Sequence, residues 1–430
     1  MSPRLGREGG DLASRAFRPT CSLTRTRAIA RPFVTSAGIG VAAGTPMPVA
    51  MLETASTETV STPTRCHAGC FVRNERIVQI YDRIAACRRV LNGGRFCGGT
   101  TDMKHAVITA FLGLLRDRFC EYQEPRTLEQ KLDLMRSIPG ISGAEVVHPY
   151  EVPEPDTLLA LCAERQLEVS AVNVNVKADR DFVEGSLSSP DPAVRAKAVE
   201  FIKRAKEYAH AIGVDRVTCC PLSDGYDYSF HTHYVRAWER MVECVKEAAA
   251  HRPEITLFME YKPSETRVHC LLDSAAKAIL LCDAAGANVG VTIDTGHSIY
   301  GGETPAEALA HVAMSGHPYY VHINDNNGKW DWDLMAGTCN LWGYVEFLYY
   351  LKELGYDGWI TSDTSPVRQD AVETFAFNVR MTDRIWSWLD RVDRTFIREH
   401  LERHQVMPIM KLLESELFAG SERPAGVSRT

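Results

Sequence analysis

Between residues 105 and 363, short apolar runs alternate with longer segments of helical period, eight times in succession. The strand candidates are 105–113, 144–148, 167–176, 215–221, 255–261, 289–294, 319–324 and 358–363. Segments with a helical repeat fill the gaps, among them 128–138, 194–213, 234–250, 305–316 and 345–355. Gly286, Gly316 and Gly355 close three of these, where a helix ends most easily on a residue free to turn left-handed. Eight strands each followed by a helix belong to the α/β class and predict a closed (β/α)8 barrel. A doubly wound open sheet calls for a Gly-rich phosphate turn after its first strand, and none follows here.

In such a barrel, chemistry gathers at the carboxyl ends of the strands. The last four runs, ITLFMEYK, VGVTIDTGH, YYVHIND and GWITSD, end on Glu260, Asp294, His322 and Asp363. Taken singly, a terminal Asp often caps the next helix and a terminal His is often a hydrogen-bonded structural residue. Jointly, three carboxylates and an imidazole on consecutive strands suit a divalent cation with oxygen and nitrogen ligands. A further set, His297, Asp331 and Asp333, suffices for a second ion, with Glu260 able to bridge. Asp331 and Asp333 are expected on one side of an extended segment. Mn2+, Co2+ or Mg2+ fits these hard donors better than thiolate-bound structural zinc. Lys262, two residues after Glu260, is placed to polarise a carbonyl oxygen or to pair with a carboxylate.

Charge divides the chain. Residues 1–102 carry fourteen Arg, no Lys and seven acidic residues, whereas the whole chain has a formal net charge of −7, leaving −14 beyond residue 102. The expected domains are an extension over 1–102, disordered or resembling a transit peptide, a catalytic barrel over 103–385, and a C-terminal helical extension and tail over 386–430. Thirteen scattered Cys fit reduced thiols in a cytoplasmic protein. Cys66, His67 and Cys70 form a zinc-like pair spacing, but no second ligand pair follows. No apolar run reaches the roughly 20 residues that span a bilayer, so no membrane association is expected. Binding DNA requires neutralising phosphates with Lys and Arg, which an acidic barrel disfavours, so no nucleic-acid partner is expected.

The phrases MEYKPSETR, DTGH, HINDNNGKWDWDL and SDTSPVR together resemble the metal-dependent aldose–ketose isomerases of the xylose-isomerase-like TIM barrels, and most nearly the L-rhamnose isomerase branch. The likeness covers about residues 105–390, with the segment from His322 to Asp331 about one residue longer than in that branch. It implies that Glu260, Asp294, His322 and Asp363 hold one metal, and that His297, Asp331 and Asp333 with Glu260 hold a second. It implies that Lys262 contacts the C1 oxygen and that hydrogen moves between C1 and C2 of an open-chain sugar. Catalytic roles are expected for Lys262, Asp331 and His148, the last assisting ring opening from the end of strand two or serving as a structural His. Asn173 and Asn175, Asp224, Tyr226 and Tyr228, and Trp330 with Trp332 and Trp342 are the expected substrate contacts, although Trp342 also suits core packing or an oligomer contact.

The expected partner is a small free sugar, a pentose, deoxyhexose or branched aldose such as apiose, and a homodimer or homotetramer is expected by analogy. The alternatives are a ketose 3-epimerase or related sugar lyase on the same barrel, and a sugar-sensing or structural barrel without catalysis.

Overall fold

The computed structural model describes residues 103–417. The expectations for residues 1–102, including Cys66, His67 and Cys70, lie outside the described residues, as does the tail beyond 417. Eight strands form the barrel: β1 (Lys104–Ile108), β2 (Ile141–His148), β3 (Glu168–Val174), β4 (Arg216–Cys219), β5 (Thr256–Glu260), β6 (Val289–Asp294), β7 (Tyr319–Ile323) and β8 (Trp359–Ser362). Each pairs in parallel with its sequence neighbours, and β8 returns to β1 to close the ring. The (β/α)8 barrel predicted by the alternation is therefore the observed fold.

Helices α1 (Leu128–Ser137), α2 (Pro155–Glu164), α3 (Pro192–Ala211), α4 (Tyr234–Ala250), α5 (Ala275–Ala285), α6 (Thr295–Tyr300), α7 (Pro305–Ser315), α8 (Leu341–Glu353) and α9 (Ala371–Arg391) follow the strands. Their starts are marked in the sequence. Thr127 and Gln130 close a reciprocal capping box on α1, and Asp191 followed by Pro192 starts α3. Gly316 and Gly355 turn left-handed just beyond α7 and α8, at φ +76° and +70°. Outward strand residues such as Val146, Val172, Leu257 and Val291 pack against these helices in one continuous apolar core. Inside the barrel, Ala106, Ala171, Phe258, Tyr320 and Trp359 fill a separate floor.

The expected barrel limit at 385/386 falls inside α9, a single 21-residue helix. Two further helices, α10 (Arg394–Glu402) and α11 (Val406–Leu417), lie beyond it. Glu353 of α8 anchors α10: its buried carboxylate takes Arg394 Nη1 at 2.6 Å and Arg398 Nη2 at 2.6 Å. Among the described residues, no helix is long and apolar enough to cross a membrane.

Candidate metal centre

The floor of aromatic side chains gives way, towards the carboxyl ends of the strands, to a buried polar layer. Pairing sets Asp294 of β6 level with His322 of β7, and His322 level with Thr361 of β8, so Asp363 stands just above. Glu260 closes β5 on the other side of β6. One donor atom from each of Glu260, Asp294, His322 and Asp363 lies within 4.8 Å of the other three. All but the partly exposed Asp363 are buried. Asp294 also accepts the backbone N–H of His297 at 2.8 Å, so the capping role and the place in the cluster coexist.

Three carboxylates this close repel one another and demand compensation. Burial, then the neighbouring Asp363 and Glu260, push Asp294 up to about 7, against the opposing pull of His297. Burial also opposes the ionisation of Glu260, but His322 and His297 outweigh it and hold Glu260 well below the carboxylate range. Both imidazoles are drawn the other way. Despite burial, Glu145 and Glu260 raise His322, while Asp294 and Asp331 raise His297. A divalent cation supplies the same compensation and competes with these protons. His322 Nδ1 faces Glu260 Oε1 and Asp363 Oδ2, each at 3.3 Å. The donors fit a hard or borderline divalent ion.

His297, Asp331 and Asp333 do not form an equivalent set. His297 Nδ1 lies 3.2 Å from Glu260 Oε1, and its Nε2 lies 3.1 Å from Asp331 Oδ2. Both His297 Nδ1 and Asp331 Oδ2 are buried without a well-directed hydrogen bond, as polar atoms aimed at a ligand are. Asp331 Oδ2, however, also meets Lys262 Nζ at 2.9 Å. Burial disfavours the Lys262 ammonium, but Asp331 and Glu265 overcome it and raise the lysine well above its usual range. Asp333 departs from the expected alternation, because its backbone turns left-handed at φ +47°. Its carboxylate accepts from Ser365 Oγ at 3.0 Å and ties the β7 loop to the β8 loop.

The remaining predicted residues divide. Asn173 points into the barrel and donates to Glu145 at 3.0 Å. Asn175 does not share that role: its Oδ1 accepts the backbone N–H groups of Lys177 and Ala178, forming a turn. Asp224 is not free for substrate, since its two oxygens take the hydroxyls of Ser186 and Ser188 and both their backbone N–H groups. Tyr226 stacks on His269 at 4.9 Å, in a small antiparallel sheet above the barrel mouth, while Tyr228 is exposed. The His148 ring points outward, 5.6 Å from Tyr208 of α3. It contacts none of the cluster, because inward Glu145 sets the odd-numbered residues of β2 towards the interior and even-numbered His148 towards the helices. Trp330 lies 5.6 Å from Tyr300, and Trp332 bonds Asn327. Trp342 lines a cavity of about 420 Å3 with Trp388 and residues of α10 and α11.

Two residues not singled out in the sequence complete the arrangement. Asn324 Nδ2 donates to both oxygens of Asp294, at 3.2 and 3.0 Å. Its position requires Gly296, where a Cβ would collide with the Asn324 amide. Glu145, in the middle of β2, contacts His322 from behind at 3.1 Å. The signal for Glu145 was a lone acid inside an apolar strand.

Comparison with known proteins accords with this picture. The model of the Xylose isomerase-like TIM barrel family matches residues 132–380. An uncharacterized protein of Methanocaldococcus jannaschii is 30% identical over 207 residues, 47% of this chain and 68% of that one. A xylose isomerase of Thermus thermophilus is 22% identical over 259 residues, 58% of this chain and 64% of the enzyme, so the match spans a little under two thirds of that enzyme. Among solved structures, a D-tagatose 3-epimerase-like protein superposes with a TM-score of 0.52 at 21% identity, covering 67% of this chain and 99% of that one. This last likeness shows the shared fold.

Proposed function

Because the chain belongs to the xylose isomerase-like TIM barrel family, we propose that it is a divalent-metal-dependent sugar isomerase, interconverting an aldose and a ketose by moving hydrogen between C1 and C2 of a free sugar. The observation that carries this reading is the convergence of Glu260, Asp294, His322 and Asp363 at the barrel mouth with the partly buried Lys262 beside them. Xylose isomerases among its relatives support the reaction class. A cation held by those four residues would supply Lewis-acid polarisation of two adjacent sugar oxygens.

The chain's own residues do the rest. Lys262, clamped between Glu265 at 2.5 Å and Asp331 at 2.9 Å, keeps its ammonium in a fixed place to stabilise negative charge developing on O1. Asp331 lies well below the usual carboxylate range: burial opposes this, but His297 and Lys262 prevail. It is thus a poor base, and its part is to align Lys262 and His297. Trp330 and Tyr226 offer apolar faces to sugar C–H groups.

The test is a screen of free aldoses with Mn2+, Co2+ or Mg2+, scored for ketose. The protein is expected to convert at least one, and Glu260→Gln to lose that activity while melting as the parent does. Full activity in Glu260→Gln sinks the site. One observation favours a second reading, a ketose 3-epimerase: a single four-residue group converges among the described residues, enough for one ion. Isotope exchange at C3 rather than C2 would select it.

A further inference from the structure

Glu145 is fully buried in the middle of β2, inside the barrel and one residue layer from the proposed ligands. Among the described residues, its ion-pair partner is His322 alone. Its two oxygens are differently engaged. Oε1 accepts from Thr218 Oγ1 at 2.6 Å and from Asn173 Nδ2 at 3.0 Å. Oε2 faces His322 Nε2 at 3.1 Å. His322 and Thr218 are wholly buried and Asn173 is 8% exposed, so the four side chains form a closed polar chain in the barrel interior. A carboxylate is a costly way to fill a barrel, and an apolar side chain would fill it without three polar partners.

We propose that Glu145 is a positioning residue for the metal centre: it takes the Nε2–H of His322 and thereby fixes the tautomer whose Nδ1 lone pair faces Glu260 and Asp363. The inference rests on reading the cluster as a metal centre. A neutral imidazole carries one N–H and one lone pair, so an acceptor held behind Nε2 determines what Nδ1 can do. Thr218 and Asn173 are both donors and hold Oε1, which stops the carboxylate from rotating and keeps Oε2 on the ring. A carboxylate behind a ligating imidazole also makes that imidazole a stronger donor. The chain therefore reaches the ligand through three strands that carry no ligand themselves, β2, β3 and β4.

The experiment measures Mn2+ affinity of the full-length protein, by titration calorimetry and by the electron-spin signal of unbound Mn2+. Glu145→Gln has the same shape. With Thr218 and Asn173 still donating to its oxygen, its amide N–H2 faces Nε2, the ring proton moves to Nδ1, and affinity is expected to fall by about 10- to 100-fold. Adding Asn173→Asp supplies an acceptor for that amide, lets the amide oxygen turn to His322, and is expected to restore most of the affinity. Thr361→Val, in the same layer and bonded to Tyr320, should bind as the parent does. Each variant is melted without added metal, to separate binding from folding.

Parent-like affinity in Glu145→Gln, or no rescue in a double variant that melts normally, overturns the proposal. Should Glu145→Gln fail to fold, Thr218→Val removes the shorter of the two bonds to Oε1 while keeping the carboxylate and the Asn173 bond, and is expected to lose affinity by a smaller factor; unchanged affinity there overturns the proposal equally. A parent protein that binds no Mn2+ overturns the metal centre and this proposal together, whereas a binding parent with an equally binding Glu145→Gln removes only the role of Glu145.

Discussion

Lys262 Nζ and the buried Asp331 Oδ2 lie 2.9 Å apart at the barrel mouth, so an ammonium stands on an oxygen that would otherwise serve a second ion. A second ion would have to compete with this ammonium for the carboxylate. The protein is expected to retain one divalent ion per chain after gel filtration, counted by elemental analysis. Lys262→Met should bind a second ion more tightly and lose turnover by 100-fold or more, about 3 kcal/mol of transition-state stabilisation. Two tightly held ions in the parent would refute the competition.

Metal affinity should depend on pH through Asp294. Burial and then the carboxylates of Asp363 and Glu260 push this acid up to about 7, and a cation binds only its ionised form. Binding therefore expels protons, and affinity rises as pH passes upward through 7. Mn2+ binding is expected to be about tenfold or more weaker at pH 6 than at pH 8. Calorimetry in buffers of different ionisation enthalpy should report proton release; its absence at pH 6 would contradict the assignment.

His148 offers a stability test away from the ions. Burial, with Arg204 adding repulsion, lowers its pKa from 6.5 to about 4. A histidine that resists protonation when folded supports the fold fully above pH 6.5, and that support is lost as pH falls towards 4. The amount at stake is about 3 kcal/mol. In urea unfolding, His148→Phe should lose less stability than the parent between pH 7 and pH 4.5. Parallel pH profiles for the two proteins would disprove the effect.

The clamp on the C-terminal helices is also measurable. Removing the buried partner of two half-exposed arginines leaves a carboxylate-shaped gap and unpaired charge. Glu353→Ala should cost about 1 to 2 kcal/mol, and trypsin should cut within α10 before it cuts the barrel. Simultaneous cleavage of both regions would show that the helices are held by other contacts.

Gly296→Ala tests how closely the loops approach one another. The added methyl displaces Asn324, which in turn steadies both oxygens of Asp294. A weaker metal complex in a protein that still melts cooperatively is expected. An unaltered Mn2+ titration would show that Asn324 can retreat without consequence.

Much of this is legible in the residues alone. Period and turn residues mark the eight strands, because a barrel buries strands on both faces and leaves them as apolar runs. Strand ends mark Glu260, Asp294, His322 and Asp363, because a charge in such a run costs least at the mouth, whereas a mid-strand acid such as Glu145 needs polar partners on other strands. Other roles depend on partners distant in sequence. Asp224 reads as a loop acid until Ser186 and Ser188 fold onto it, and Glu145 reads as a stray polar residue until closure sets it behind His322. Asp333 escapes the alternation argument because one left-handed residue cancels it.

The four proposed ligands come from β5, β6, β7 and β8, which are neighbours around the ring. One semicircle thus carries every proposed ligand, and the loops after β1 to β4 can change in length or sequence without displacing one. A lineage built this way can remodel the loops of one arc while inheriting the four-residue cluster intact on the other.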